Sequence, residues 1–183
     1  MTRVAALVFE DLDTGRKDIY KAISGQRGGV VDGPFRAWLR ANPELASRIN
    51  DVAGVLRTNG KLDKRLFEVA VLCVARFWKS DYQWSAHGPL ALQAGLTPDV
   101  IEAIGGGHSP SFARGEEQLT YDFTMALLTD RAVPQTLYDQ VLELLGFEQM
   151  VELVTTVGWY GMAATVLNGF AIEPLAGGPQ LPH

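Results

Sequence analysis

Four residues in the first half of the chain have the types and spacing for proton chemistry. Glu68 is the one charge between Arg65 and Arg76, set between Phe67 and Val69 in an otherwise apolar run. A carboxylate among apolar neighbours is costly unless it gains a partner or gives up its charge. Ser80, Gln83 and His87 follow at i, i+3 and i+7, the spacing of one helix face. Imidazole titrates near neutrality, so His87 can donate or accept a proton. If the two segments pack as a helical hairpin, His87 is the natural partner of Glu68. The pair then has the form of a catalytic histidine held by a carboxylate. It equally has the form of a structural tie between two helices.

The elements that must position these residues read as helices. Residues 1–33 form an arm with a short helical candidate at 18–23 and a shaped glycine loop around Arg27. Pro34 suits the first turn of a helix ending near Ala41, and Pro43 restarts the pattern until Asn59-Gly60 stops it. From Asp63 to Trp78 apolar residues cover most of the circumference, which predicts a core helix buried on several sides. Ser80 and Gln83 then have the spacing of a capping box, so a second helix is expected from Asp81 to about Gln93, closing at Gly95. Further helices are expected over 98–104, 117–129, 133–145 and 148–170, with a stop at Gly146. The Pro- and Gly-rich segment 174–183 is expected to be a flexible tail. No segment alternates at period two, so the fold class is an all-α helical bundle in one domain spanning 1–183.

Other residues carry weaker signals. Tyr82 and Trp84 flank Gln83 and are candidates to line a substrate pocket, although aromatic residues at helical spacing commonly pack a core. Arg27 in the glycine loop could reach a substrate carboxylate. Ser80, Gln83 and the amides at the start of their helix could hold a carboxylate or oxyanion. His108 and His183 have no spaced Cys, Asp or His companions, so no metal site is expected. Trp159 and Tyr160 read as packing residues, or as part of a contact between subunits.

Composition narrows the function classes. The 183 residues are 47% hydrophobic and 20% charged, as for a globular protein. A net charge of -5 argues against a nucleic-acid partner, whose phosphates require clustered Lys and Arg. The longest strongly apolar run is read as 69–75, too short to cross a bilayer, and the N-terminus lacks the apolar continuation of a signal peptide, so a cytoplasmic protein without a membrane span is expected. The single cysteine, Cys73, forbids an intramolecular disulfide and fits a reducing compartment.

The segment RLFEVAVLCVARFWKSDYQWSAHGPLALQAGL, residues 65–96, resembles the signature of the carboxymuconolactone decarboxylase family, which includes the alkylhydroperoxidase D-like proteins. GGVVDGPFRAWLRANPEL upstream and ELVTTVGWYGMAATVLNGF downstream are similar to family members too. The resemblance implies an all-helical subunit that self-associates as a trimer or hexamer. In the peroxidase branch the glutamate is followed twelve and fifteen positions later by two cysteines and nineteen later by a relay histidine. Here those positions hold Glu68, Ser80, Gln83 and His87, so the acid and imidazole match while both thiols are missing. Peroxide reduction needs a low-pKa thiolate and a resolving thiol, which Ser and Gln cannot supply. Cys73, inside the apolar helix, reads as a small core residue. The decarboxylase branch also lacks the cysteine pair. There the resemblance implies a cofactor-free lyase or isomerase for a small organic acid or carboxylated lactone, with His87 as proton donor and Glu68 orienting it. A thiol-dependent hydroperoxidase and a non-catalytic binding or scaffold protein are the alternatives.

Overall fold

The computed structural model describes residues 2–182, which contain eight α-helices and no strand. They are α1 (Thr14–Gly25), α2 (Phe35–Ala41), α3 (Pro43–Gly54), α4 (Lys64–Phe77), α5 (Asp81–Gln93), α6 (Pro98–Gly106), α7 (Gly115–Thr129) and α8 (Gln135–Gly169). The described residues form two compact units, one of residues 2–59 and 165–173, the other of 60–164 and 174–182.

In the first unit the expected N-terminal arm is partly core. Asp13 caps α1 by accepting from the Arg16 amide, and Ile23 and Val31 are buried. Arg3 ties the start of the chain to the end of α8, its amide donating to the Phe170 carbonyl at 2.9 Å. Asn42 caps α3 with Pro43 at its first position, and a π-helical turn, Val55–Asn59, finishes that helix.

In the second unit α4 is the central element. Asp63 caps it through the Arg65 amide, and ten consecutive residues, Leu66 to Ala75, are buried. Such a helix must be covered on every side, and α5, α6 and α7 all pack against it. One core cluster joins Val69, Leu72 and Cys73 of α4 to Trp84 and Ala91 of α5 and to Val100 and Ile104 of α6. Arg65 clamps the start of α4 to the start of α7, with Nη2 2.6 Å from Glu116 and Nε 2.6 Å from Glu117.

The helix boundaries follow the stop signals. Thr97 caps α6 with Pro98 in its first turn, and Gly107 ends it in the left-handed conformation at φ 73°. At Gly146 the backbone turns to φ 72°, ψ 166°, interrupting α8 where the sequence expects one helix to end and another to begin.

Two expectations need correction. The apolar run 69–75 is not the longest: α8 is long and apolar enough by length and composition to cross a membrane, with a window of mean hydropathy 1.3. Half of that window is buried in the fold, and a core helix passes the same test. The second correction concerns the tail. Among its described residues, 174–182, Leu181 is 2% exposed within the core cluster and the Pro182 carbonyl accepts from Arg76 at 2.9 Å. Pro179 lies so close to α5 that a Cβ on Gly88 would meet it at 2.9 Å. Pro-Gly composition predicts looseness only where side chains find nothing to pack on, and here Leu181 and two prolines do.

Candidate active site

α4 and α5 form the expected hairpin, joined by a short turn in which Lys79 takes φ 49°. The hairpin brings Glu68 and His87 together: His87 Nδ1 lies 2.9 Å from Glu68 Oε2, with the residues 5% and 6% exposed. With the carboxylate as acceptor, Nδ1 carries a proton and donates it. Nε2 is thereby the nitrogen left to act on another molecule. A buried bond of this kind is electrostatically stronger than the same bond in water, and it fixes the imidazole ring.

Ser80 and Gln83 stand on the same face of α5 as His87, but the expected capping box does not form. Ser80 is the N-cap residue of α5 without any side-chain cap bond. Its fully buried Oγ meets no hydrogen-bond partner among the described residues. Gln83 turns instead to α8, where Nε2 donates to the Tyr160 carbonyl at 2.8 Å, leaving the buried Oε1 unmatched among the described residues. The Ser80 amide that Gln83 Oε1 would accept from in a capping box donates instead to the Ala75 carbonyl at 2.8 Å. The start of α5 is thus left without a side-chain cap.

Tyr160 is the site residue that sequence reasoning assigned to packing. Its ring stands perpendicular to the His87 imidazole with centroids 5.0 Å apart, and it also meets Phe67 at 5.6 Å and Trp159 at 4.8 Å in edge contacts. The imidazole is therefore held by a carboxylate on one helix and an aromatic edge contact on another. No local pattern announces this: only the packing of α8 on the hairpin brings residue 160 beside residue 87.

The remaining candidates divide differently. Trp84 belongs to the core cluster and lies against α6, within 2.8 Å of where a Cβ on Gly105 would stand, so it does not join Gln83 and His87. Tyr82 is half-buried, and its carbonyl accepts from Ser85 Oγ. Arg27 sits in the first unit, its guanidinium 4.2 Å from the Phe35 ring centroid. Cys73 is buried, and burial pushes its thiol well above the ordinary range, opposite to what a reactive cysteine requires. Among the described residues no group of three or more His, Cys, Asp or Glu could hold a metal ion. His108 is exposed, and His183 lies outside the described residues.

Comparison with known proteins matches this architecture. Residues 43–112 fit the model of the carboxymuconolactone decarboxylase family. An uncharacterized peroxidase-related protein from Silicibacter sp. TM1040 shares the fold with a TM-score of 0.77 at 16% identity, over 99% of this chain and 96% of that one. An alkylhydroperoxidase AhpD core protein from Ralstonia eutropha JMP134 gives 0.77 at 16% identity, over 96% and 93%. The debrominase Bmp8, in complex with 2,3,4-tribromopyrrole, gives 0.74 at 15% identity, over 96% and 93%. No curated protein matches the chain significantly. At these identities the structural likeness carries the fold and leaves the activity open. The matched segment spans α3 to α6 and contains Glu68, Ser80, Gln83 and His87, so this part of the chain is similar to the carboxymuconolactone decarboxylase family, while the whole chain shares its helical fold with the alkylhydroperoxidase AhpD core and peroxidase-related structures.

Proposed function

We propose that the protein is a cofactor-free acid–base catalyst, a lyase or isomerase, acting on a small organic acid or carboxylated lactone. The observation that carries this reading is the buried 2.9 Å contact between His87 Nδ1 and Glu68, with Ser80 and Gln83 standing where the peroxidase branch has its thiols. In a decarboxylation the bond from carbon to the carboxylate breaks and carbon dioxide leaves. The electron pair moves onto the adjoining carbonyl as an enolate. His87 then delivers the Nε2 proton to carbon while Glu68 keeps hold of Nδ1–H, and solvent reprotonates the ring. An isomerisation uses the same nitrogen to move one proton between two carbons. The Ser80 hydroxyl and the first-turn amides of α5 are donors for a carboxylate or developing oxyanion. Gln83 Oε1, an acceptor, suits a hydroxyl on the same ligand.

The burial of both partners favours one competing reading, in which the pair only ties α4 to α5. One variant separates the two. His87→Gln preserves a hydrogen-bonding side chain, so the acid–base reading expects native helical content and abolished turnover in a screen of carboxylated lactones and related acids. Turnover retained by that variant, or wild-type protein inert across the screen, sinks the catalytic reading. The thiol reading makes a separate demand, peroxide consumption that depends on Cys73, and the burial of that thiol speaks against it.

A further inference from the structure

Arg27, the sequence candidate that falls in the first unit, lines a cleft there together with Arg57. The cleft has a volume of about 170 Å³, and its inner part is no wider than one water-sized atom. Gln26, Ala53, Gly54 and Thr58 complete the lining, so all of it belongs to the first unit and no carboxylate is among these residues. Two guanidinium groups beside one small opening, in a chain whose net charge is -5, concentrate positive potential at that point.

The fold holds each of these groups in place. The Arg27 guanidinium lies over the ring of the fully buried Phe35, 4.2 Å from its centroid. A guanidinium seated on a ring is fixed in position, and its fork of N–H groups is the geometry that oxyanions match. Arg57 and Thr58 come to the cleft in the π-helical turn Val55–Asn59, a distortion of the helix that recurs at functional sites. Gln26 is held from behind by Asn50, which is 3% exposed and whose Nδ2 donates to Gln26 Oε1 at 3.2 Å. With its oxygen end engaged, the Gln26 amide keeps Nε2 as a donor. A Cβ on Gly54 would stand 3.1 Å from Gln26 Oε1, so the amide fills the space a side chain would take. Glycine is less favourable than alanine inside a helix, and seating this amide is a reason for it at the end of α3.

We propose that this cleft is an oxyanion site that takes a phosphate group, free or at the end of a small phosphomonoester. Such a group carries a charge of about -1.5 to -2 near neutrality and presents three or more acceptor oxygens. One oxygen enters the narrow interior while others meet Arg27 and Arg57, and Gln26 Nε2 and the Thr58 hydroxyl are the neutral donors beside them. A monocarboxylate offers one charge and two oxygens to the same set of donors, which is the poorer match. The site lies in a different unit from the Glu68–His87 pair, and the proposal does not depend on which reaction that pair performs.

Isothermal titration calorimetry of the full chain with sodium phosphate, at neutral pH and fixed ionic strength, is the test. One saturable site per chain is expected. Arg27→Ala and Arg57→Ala should each weaken it at least about tenfold, the worth of one charge-assisted hydrogen bond, with unchanged helical circular dichroism. Gly54→Ala covers the case in which an arginine variant fails to fold: it displaces the Gln26 amide and should weaken phosphate binding about threefold, the worth of one neutral hydrogen bond. Glycerol 3-phosphate binding tighter than phosphate gives the site to an esterified ligand, and equal or weaker binding gives it to the free ion. Absence of saturable heat up to about 10 mM phosphate overturns the proposal, as does acetate binding as tightly as phosphate. So does an affinity that both arginine variants keep, or that is lost in Ser80→Ala, which would place the anion at the start of α5.

Discussion

Replacing both members of the Glu68–His87 pair with leucine should harm the protein less than replacing His87 alone. Both residues are more than nine-tenths buried, so little solvent screening reduces the energies involved. His87→Leu strands the Glu68 carboxylate among Phe67, Val69 and the aromatic edges around Tyr160. Breaking a buried pair from one side costs ~3–5 kcal/mol because an uncompensated charge is left behind. For a chain of this size each kcal/mol moves the melting temperature by ~2–4 °C, which gives a fall of roughly 6–20 °C. Glu68→Leu leaves an imidazole that can sit neutral, and the cost of one unmatched polar group is ~1–3 kcal/mol. Removing both together takes away the desolvation problem and the bond at once, an exchange that is often near neutral. The double variant should therefore be more stable than His87→Leu, with a coupling of at least ~1.5 kcal/mol, the scale of a charge-assisted bond. Urea unfolding of the four proteins measures this. Additivity within ~0.5 kcal/mol would refute the reasoning, because it would mean the 2.9 Å contact carries no energy.

Three further outcomes follow from other parts of the second unit. The Cys73 thiol is protonated in the fold far above its ordinary value of 9.0, so unfolded chains release a proton that folded chains keep. Its contribution to stability is present below pH 9 and lost as pH rises beyond it; Cys73→Ala should flatten that decline in urea unfolding, and native protein should resist iodoacetamide at pH 8. Arg65→Ala strands the buried Glu117 and should cost ~3–5 kcal/mol in thermal unfolding, while Arg65→Lys, without the two-pronged guanidinium, recovers only part of it. Deleting residues 174–183 removes Leu181 from the core and Pro179 from Gly88. The loss should be at least ~2 kcal/mol, with faster amide exchange along α5 in hydrogen-exchange measurements.

Several helix ends were legible because they carry their own start or stop: Pro43, Thr97-Pro98 and Gly146 all act where their chemistry requires. The Glu68–His87 contact was legible for a related reason. A lone carboxylate in a helix buried over ten residues must find a donor, and a three-residue turn puts the next helix's histidine within reach. What failed were inferences from local pattern where other bonds were on offer. Ser80 and Gln83 match a capping box, yet the Ser80 amide donates to the Ala75 carbonyl and the Tyr160 carbonyl holds the Gln83 amide. The final segment looks loose by composition, yet Pro89 sits inside α5 and has no N–H, so the helix cannot satisfy the Ser85 carbonyl in the usual way. The chain end packs at that defect, where the Leu175 amide donates to Ser85 Oγ at 2.9 Å.

The same distinction separates what α4 and α5 contribute from what α8 contributes. The hairpin supplies the acid, the imidazole and the helix start within twenty residues of sequence, so its spacing alone constrains the chemistry. The third wall comes from a helix some seventy residues later, and its amphipathicity is hidden because both faces are apolar: Tyr160 and Trp159 inward, Val154 and Met162 outward. A helix apolar all round must be covered all round, either by its own chain or by another. For α4 the covering helices are present in the same unit. For α8 one face is covered by the hairpin that carries His87, and the other leaves Phe147, Val151 and Val154 partly exposed. The position of the ring beside the imidazole thus rests on the packing of α8 against the hairpin, and loosening that packing should be felt at His87 before it is felt anywhere else in the site.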